Sequence, residues 1–307
     1  MNRRELLFAL GAWAAAPAWG DSPRRVTLLY PDVPEPERAV FRQIRDGVAN
    51  AMRRAGLGLT AHAVSPAATT DAVSALLAVD RPDVILALGR TLTDLVQTLN
   101  PRVPWFTGAT ELPVPTPSLS GISLVVDPER VLDTLRLVAP RINRVSIVIP
   151  PARFGWLKPA IERAGRARNI QTTLFEASSI AEAASHYYNI IRYGNPRADS
   201  LWLLEQGQFI TPDTLPRLIE WSWAQEFLLF SSVLEHVNEG SLFALYVNPG
   251  SLGERLGELA AHTGGRPPPL AFDEAPARAI NLRTARHLSN IVDAGVAKSF
   301  DLILGER

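Results

Sequence analysis

The chain of 307 residues carries 31 basic and 31 acidic side chains, and this zero net charge gives no electrostatic reason to expect a nucleic acid as partner. The absence of cysteine excludes disulfides, thiolate catalysis, thiolate metal sites and a lipid-anchored N-terminal cysteine. With 47% hydrophobic residues, a chain of this length predicts two domains of ordinary size with ample core.

The N-terminus has the pattern of a secretory signal. Arg3 and Arg4 precede an uncharged, largely apolar run over residues 6–16, and small residues follow up to Gly20. Residues 1–20 are therefore predicted to be a cleaved signal peptide, with the Sec route favoured over the twin-arginine route. No later segment reaches about 18 consecutive apolar residues, so the mature protein is expected to be soluble and periplasmic.

The first half of the mature chain alternates between strands and helices. Its most regular unit is Asp83–Leu99, in which the apolar run Val84–Leu88 is followed by Gly89 and a helical pattern. Such a turn places backbone N–H groups at the carboxyl edge of a parallel sheet, where small molecules bind. The other predicted elements are strands over residues 26–30, 57–64 and 103–109 and helices over 37–54 and 70–78.

A proline-rich connector, residues 111–120, separates this run from a second alternation of the same kind. The predicted strands there are residues 122–126, 145–149, 172–176, 201–204 and 227–231, and the predicted helices are 127–138, 156–168, 180–192 and 212–225. The tail adds a strand over 241–247, a helix over 252–261, an extended stretch over 270–280 and a helix from 282.

This repeated alternation implies parallel sheets with right-handed crossovers. Two such runs predict an α/β protein with two doubly wound parallel-sheet lobes and a cleft between them. The tail has too few elements for a third domain, so it is expected to complete both lobes by crossing back between them, which makes a multi-strand hinge. The predicted N-terminal lobe is residues 25–118 with 241–273, and the predicted C-terminal lobe is 120–238 with 274–307.

No catalytic constellation emerges from the chain. The segment Gly250–Gly253 lacks the spacing of a nucleophile elbow, and Gly56–Gly58 follows a helix instead of preceding one. The five histidines show no spacing typical of metal ligands. The sequence therefore predicts no enzyme, no cofactor and no metal site.

Several segments, taken in order, resemble a known family. They are Asp83–Gly89, Gly121–Ser123, the stretch from Leu135 to Ile149, Gly264–Pro267 and Ile280–Leu288. Their order and spacing are similar to those of the ABC-transporter substrate-binding family of the type I periplasmic binding protein superfamily, in the branch that includes tryptophan- and tyrosine-binding proteins. The resemblance implies a monomeric solute-binding protein that captures an amino-acid-like or carboxylate-bearing molecule in its interlobe cleft for an ABC permease.

The chain departs from the family pattern where ligands would be held. Arg90 replaces a threonine after the third-strand glycine, Thr110-Glu111 lacks the proline of the family motif, and Leu245-Tyr246 replaces an Asp-Tyr pair. These departures leave a second interpretation open. In it, the chain is a degenerate homologue that acts as a periplasmic sensor or interaction protein for a membrane partner, without transport.

The loops that follow the strands of both lobes are expected to face the cleft. There, Arg90 and Arg153 suit a carboxylate or phosphate, aromatic side chains suit a planar ring, and Glu205 suits an amine. The plain alternatives are a surface arginine, a core aromatic and a helix-capping glutamate. The predicted ligand-binding residues are Tyr30, Arg90, Thr91, Thr107, Thr110, Arg153, Phe154, Glu205, Gln206, Ser231 and Tyr246.

Overall fold

The computed structural model of the protein describes residues 24–204, 207–263, 267–288 and 292–305. The predicted signal peptide, the predicted ligand-binding residues Glu205 and Gln206, and residues 264–266 of the family-like segment lie outside the described residues. Within the described part of the chain, no helix has both the length and the apolar composition that crossing a bilayer requires.

The first lobe is a parallel sheet of four strands with helices on both faces. Its elements are β1 Arg25–Pro31, α1 Glu37–Ala55, β2 Gly58–Val64, α2 Thr70–Asp80, β3 Val84–Leu88, α3 Arg90–Leu99 and β4 Trp105–Gly108. The strand order is β2-β1-β3-β4. All five residues of β3 are buried, as the unbroken apolar run predicts, and Gly89 leads directly into α3. The predicted strand–glycine–helix unit is confirmed.

The second lobe continues the chain after β5 Thr116–Ser120 and contains a seven-stranded sheet. Its elements are α4 Pro128–Val138, β6 Arg144–Ile149, α5 Pro151–Phe154, α6 Lys158–Ala167, β7 Gln171–Glu176, α7 Ile180–Tyr193, β8 Asp199–Leu203, α8 Leu215–Ala224, β9 Leu228–Ser231, α9 Leu234–Glu239 and β10 Phe243–Tyr246. The tail contributes α10 Pro249–His262, β11 Pro269–Leu270, β12 Ala277–Asn281, α11 Leu282–His287, α12 Ala294–Lys298 and β13 Leu302–Leu304. The strand order is β13-β12-β10-β9-β8-β6-β7, and β12 runs antiparallel to β10. The predicted α/β class with two doubly wound lobes is confirmed.

Two local predictions around the connector are wrong. The proline-rich stretch contains a strand, β5, whereas the predicted strand over 122–126 is reduced to an isolated bridge at Ile122. Pro117 is tolerated within β5 because this strand pairs only with β11, so that one of its edges needs no ladder donors.

The strand β10 belongs to the second lobe, although the predicted boundary at residue 241 assigns it to the first. It pairs in parallel with β9 and in antiparallel register with β12. The chain returns to the first lobe only afterwards, through α10, which packs on α1 and β4. The remaining lobe boundaries stay a prediction.

Three passes of the described chain connect the lobes, over residues 121–127, 247–248 and 271–276. The first and third run side by side, since Ser123 N donates to Ala271 O at 2.9 Å and Ala271 N donates to Gly121 O at 3.1 Å. Gly121 has a φ of +140°, and a Cβ at this position would collide with the Thr107 carbonyl oxygen. The hinge therefore lies against the end of β4, close to the loops expected to hold a ligand.

Candidate functional site

The carboxyl ends of the parallel strands in the two lobes supply the loops of the candidate site. In the first lobe, residues 109–111 follow β4. In the second, α5 and a short 3₁₀ turn, Gly155–Leu157, follow β6. Loops at this edge of a parallel sheet are the usual ligand-binding positions of open α/β folds.

An ion pair, called here the cross-cleft pair, joins these two loops. The Arg153 guanidinium of the second lobe donates to both carboxylate oxygens of Glu111 in the first lobe, with Nε–Oε2 at 2.5 Å and Nη2–Oε1 at 2.7 Å. The side chains are 35% and 31% exposed, and the Arg153 guanidinium carbon lies 4.8 Å from the Phe154 ring centroid. The geometry is the two-pronged one by which arginine recognises carboxylates.

Two unpaired polar groups lie next to this pair in the sequence. The hydroxyl of Thr110 and the indole Nε1–H of Trp156 are buried, and neither has a hydrogen-bond partner among the residues that the structure describes. The Trp156 ring is stacked on Phe272 of the third hinge pass, with ring centroids 6.4 Å apart. Burying a polar group without a hydrogen-bond partner costs free energy. A ligand that forms hydrogen bonds with these two groups would remove that cost, which favours its binding.

Three predicted ligand-binding residues are buried in the lobes and bonded or packed internally. The Thr107 hydroxyl lies 2.5 Å from that of Thr93 under the start of α3. Phe154 is only 2% exposed and belongs to the second-lobe core. The fully buried Ser231 hydroxyl contacts Leu203 O at 3.0 Å and His236 Nδ1 at 2.8 Å. In this conformation these side chains complete the lobes and do not line the cleft.

The predicted residues at the start of α3 face solvent. Arg90 is 68% exposed and its Nε donates to both oxygens of Asp94, at 3.0 and 3.1 Å, one helical turn further along α3. Thr91 is exposed as well. Arg90 and Arg153, predicted to be comparable anion ligands, therefore have different partners.

The two predicted tyrosines are half-buried at strand ends. Tyr30 is the next-to-last residue of β1 and accepts a hydrogen bond from Arg45, whose pKa is raised first by its hydrogen bond to Asp46 and then by the one to Tyr30. Tyr246 closes β10, and burial, followed by the charges of Asp301 and Glu235, raises its phenol pKa. The Tyr246 hydroxyl therefore stays protonated at neutral pH.

Glu111, like Trp156, belongs to the candidate site but is absent from the predicted ligand-binding residues. Its only signal is the partial Thr110-Glu111 match to a family motif, since a glutamate after a strand is otherwise typical of a solvated loop. No group of three or more histidines, aspartates or glutamates that could hold a metal occurs among residues with described positions.

The fold is shared with several solved structures. A ligand-free, open substrate-binding protein with adhesive properties from Clostridium difficile matches with a TM-score of 0.70 and 14% identity, over 92% of this chain and 100% of the other. An ABC domain in complex with L-Trp from Streptococcus pneumoniae and a conserved domain protein from Vibrio cholerae both match with a TM-score of 0.63, at 13% and 14% identity, with the same coverage.

No protein-family profile matches the chain, and no curated protein sequence does either. The solved structures and the sheet topology together show the type I periplasmic binding protein fold, with two α/β lobes around a hinge. At this level of identity the likeness establishes the fold alone.

Proposed function

We propose that the protein is a periplasmic solute-binding protein that closes on a small molecule between its lobes and delivers it to an ABC importer. The cross-cleft pair carries this proposal, because it shows two oppositely charged, half-buried groups held by opposite lobes at the loops where ligands bind. Hinge closure around a ligand is the usual movement of such two-lobed folds. The predicted export signal supports the periplasmic compartment, and the shared fold supports the binding role.

The ligand class follows from the charges of the pair. Arg153 already binds one carboxylate, that of Glu111, so a ligand carboxylate can take the same place. Glu111 would then be left as an unpaired anion, which is unfavourable in a half-buried site unless the ligand also brings a cation. An amino acid supplies both charges, and each side chain exchanges its partner without losing one. We therefore propose an amino-acid-like zwitterion as the ligand.

The proposed site also offers groups for the ligand side chain and backbone. Trp156 supplies an aromatic ring whose indole N–H has no partner among the described residues, and Thr110 supplies a hydroxyl in the same situation. A planar ring of the ligand would stack in this region, as aromatic pairs prefer. Glu205 and Gln206, beyond the end of β8, stay predicted contributors.

Calorimetric titration of the mature protein with matched ligands tests this proposal. L-tryptophan and its deaminated counterpart indole-3-propionate share the ring and the carboxylate but differ in the amine. We expect Glu111→Gln to weaken L-tryptophan binding about tenfold, because the ammonium loses its partner, and to strengthen indole-3-propionate binding, because the carboxylate no longer competes with Glu111. The matched control is Asp94→Asn, which removes the acid of the other arginine pair and should change neither affinity.

A thermal-shift panel extends the test to other ligands, since a ligand that binds only the folded protein raises its melting temperature. The panel comprises amino acids, peptides, nucleosides and carboxylates. A shift with one or more amino acids is expected. Silence across the whole panel contradicts the proposal.

A second candidate function is a periplasmic sensor or interaction protein without transport. The observation that favours it is that Arg90, Thr107 and Ser231 are all engaged within their own lobes, which leaves fewer polar groups for a ligand. Capture of a membrane kinase or receptor by the immobilised mature protein, together with silence in the ligand panel, would favour this role. Co-purification with a permease would favour transport.

A further inference from the structure

A cavity of about 480 Å³ lies beside the hinge, apart from the candidate cleft. One wall is the second half of α10, and the others are the first and third hinge passes and the segment Pro267–Pro269. None of the described residues predicted to bind the cleft ligand lines it. Its volume falls within the range of roughly 300–1,000 Å³ that is typical of small-molecule sites.

The walls of this hinge cavity are largely apolar. Ile122, Leu259, Ala271, Phe272 and the three prolines provide most of the surface. The space has room for a molecule of two fused rings, which would remove apolar surface from water on binding.

One wall carries a buried donor in need of an acceptor. Arg255 donates from Nη2 to Asp273 Oδ2 at 2.5 Å, and the Asp273 side chain is fully buried. The Nε–H of Arg255 is also buried, but it finds no hydrogen-bond partner in the described part of the chain. The bond to Asp273 holds the guanidinium in place, so this donor cannot turn to water without giving up a charged hydrogen bond.

The charges around the cavity select against an anion. Among the described lining residues, Glu258 is paired with Arg54 and Asp273 with Arg255, whereas the Glu274 carboxylate has no described partner. A ligand carboxylate on the Arg255 Nε–H would share this guanidinium with Asp273 and face the carboxylate of Glu274. A ligand cation would leave the same N–H without an acceptor.

We propose that the hinge cavity is a second ligand site, for an uncharged and mainly apolar small molecule that presents a carbonyl, ether or hydroxyl oxygen to the Arg255 Nε–H. The site involves the hinge directly, because Phe272 lines the cavity and stacks on Trp156 of the second lobe. A molecule bound in the cavity therefore contacts a residue that packs against the second lobe. If the molecule binds one arrangement of the lobes more tightly than another, its binding shifts the population toward that arrangement.

Binding of three matched two-ring probes to the mature protein tests this site. The probes are 2-acetonaphthone, 2-naphthoate and 2-naphthylmethylamine, which share the rings and differ in charge. We expect calorimetry to show binding of the ketone at least tenfold tighter than that of either charged probe. A crystal structure of the complex should place the ketone oxygen on Arg255 Nε. Failure of the ketone to bind, or tighter binding of a charged probe, overturns the proposal.

Four variants locate the ketone. Leu259→Trp fills the cavity and should weaken binding at least tenfold, whereas Val79→Trp, on the exposed surface of α2, should leave it unchanged. Arg255→Lys keeps a cation for Asp273 but lacks the Nε–H, and about tenfold weaker binding is expected even if Leu259→Trp folds poorly. Arg90→Ala should not change ketone affinity, since Arg90 is exposed on α3 and does not line the cavity. Unchanged binding to both Leu259→Trp and Arg255→Lys would overturn the assignment.

Discussion

Two arginine–carboxylate pairs of this protein start from similar positions, just after a strand of a parallel sheet, and end in different environments. Arg90 and Asp94 are four residues apart on α3 and pair along the helix, with side chains 68% and 54% exposed. Arg153 and Glu111 come from opposite lobes and are about one third exposed. Strand-end position alone therefore does not make an arginine a ligand residue. What matters is whether the nearest acid lies on the same helix or across the cleft.

The second lobe contains a histidine whose burial makes the stability of the protein depend on pH. His236 is fully buried, and burial lowers its pKa to about 4 from 6.5. The unfolded chain therefore takes up this proton at a higher pH than the folded protein does. Above about pH 6.5 the imidazole is neutral in both the folded and the unfolded chain, so the free energy of unfolding is not reduced. As the pH drops toward 4, protonation of the unfolded chain lowers that free energy by about 3 kcal/mol.

Urea unfolding between pH 4 and pH 7.5 measures this loss. His236→Gln should flatten the pH dependence over that interval, because no imidazole remains to take up the proton. His262→Gln, at an exposed position of α10, should keep the slope of the original protein. A full slope in His236→Gln would show that another group causes the loss.

Alanine substitution separates the two pairs by their effect on ligand affinity. Arg153→Ala is expected to weaken amino-acid binding about 30-fold, or about 2 kcal/mol, because a charge-assisted two-pronged hydrogen bond is lost. Arg90→Ala should change the affinity less than twofold. Titration calorimetry of both variants with the amino acid that gives the largest thermal shift measures the difference. Equal losses would remove the distinction between the pairs.

Double-mutant cycles measured without ligand compare the coupling free energies of the two ion pairs, which are expected to be smaller than the effect on ligand binding. The coupling free energy between Arg153 and Glu111 is expected to be about 1 kcal/mol, since the pair is partly shielded and two-pronged. That between Arg90 and Asp94 should be about 0.3 kcal/mol, as for exposed pairs four residues apart on a helix. Urea unfolding of the single and double alanine variants provides both values. A larger coupling within α3 than across the cleft would reverse the expected order.

The sequence predicted well those features that depend on neighbouring residues. Val84–Leu88 became β3 because an unbroken apolar run fits a strand buried on both faces, and the pattern from Glu37 became α1. The strands β5 and β10 were placed less well, since their partners β11, β9 and β12 are remote in the chain and local pattern does not encode pairing. Pairing partners, more than element type, were the missing information.

The candidate site was predicted in outline through its loops, but not in the direction of its side chains. The spacing of Arg90 and Asp94 on a predicted helix is a readable signal for a pair within α3. No comparable spacing links Arg153 to Glu111, because 42 residues separate them and only the folded lobes bring them together. Phe154 was misleading for the same reason, since a strand-end aromatic can turn to the core or to the cleft.

A crystal structure of the mature protein with its tightest-binding amino acid would show whether the ligand takes the place of the cross-cleft pair. We expect a ligand carboxylate on the Arg153 guanidinium, a ligand ammonium on the Glu111 carboxylate, and no direct bond between these two side chains. A complex in which Arg153 and Glu111 remain bonded to each other, with the ligand held elsewhere, would contradict this expectation.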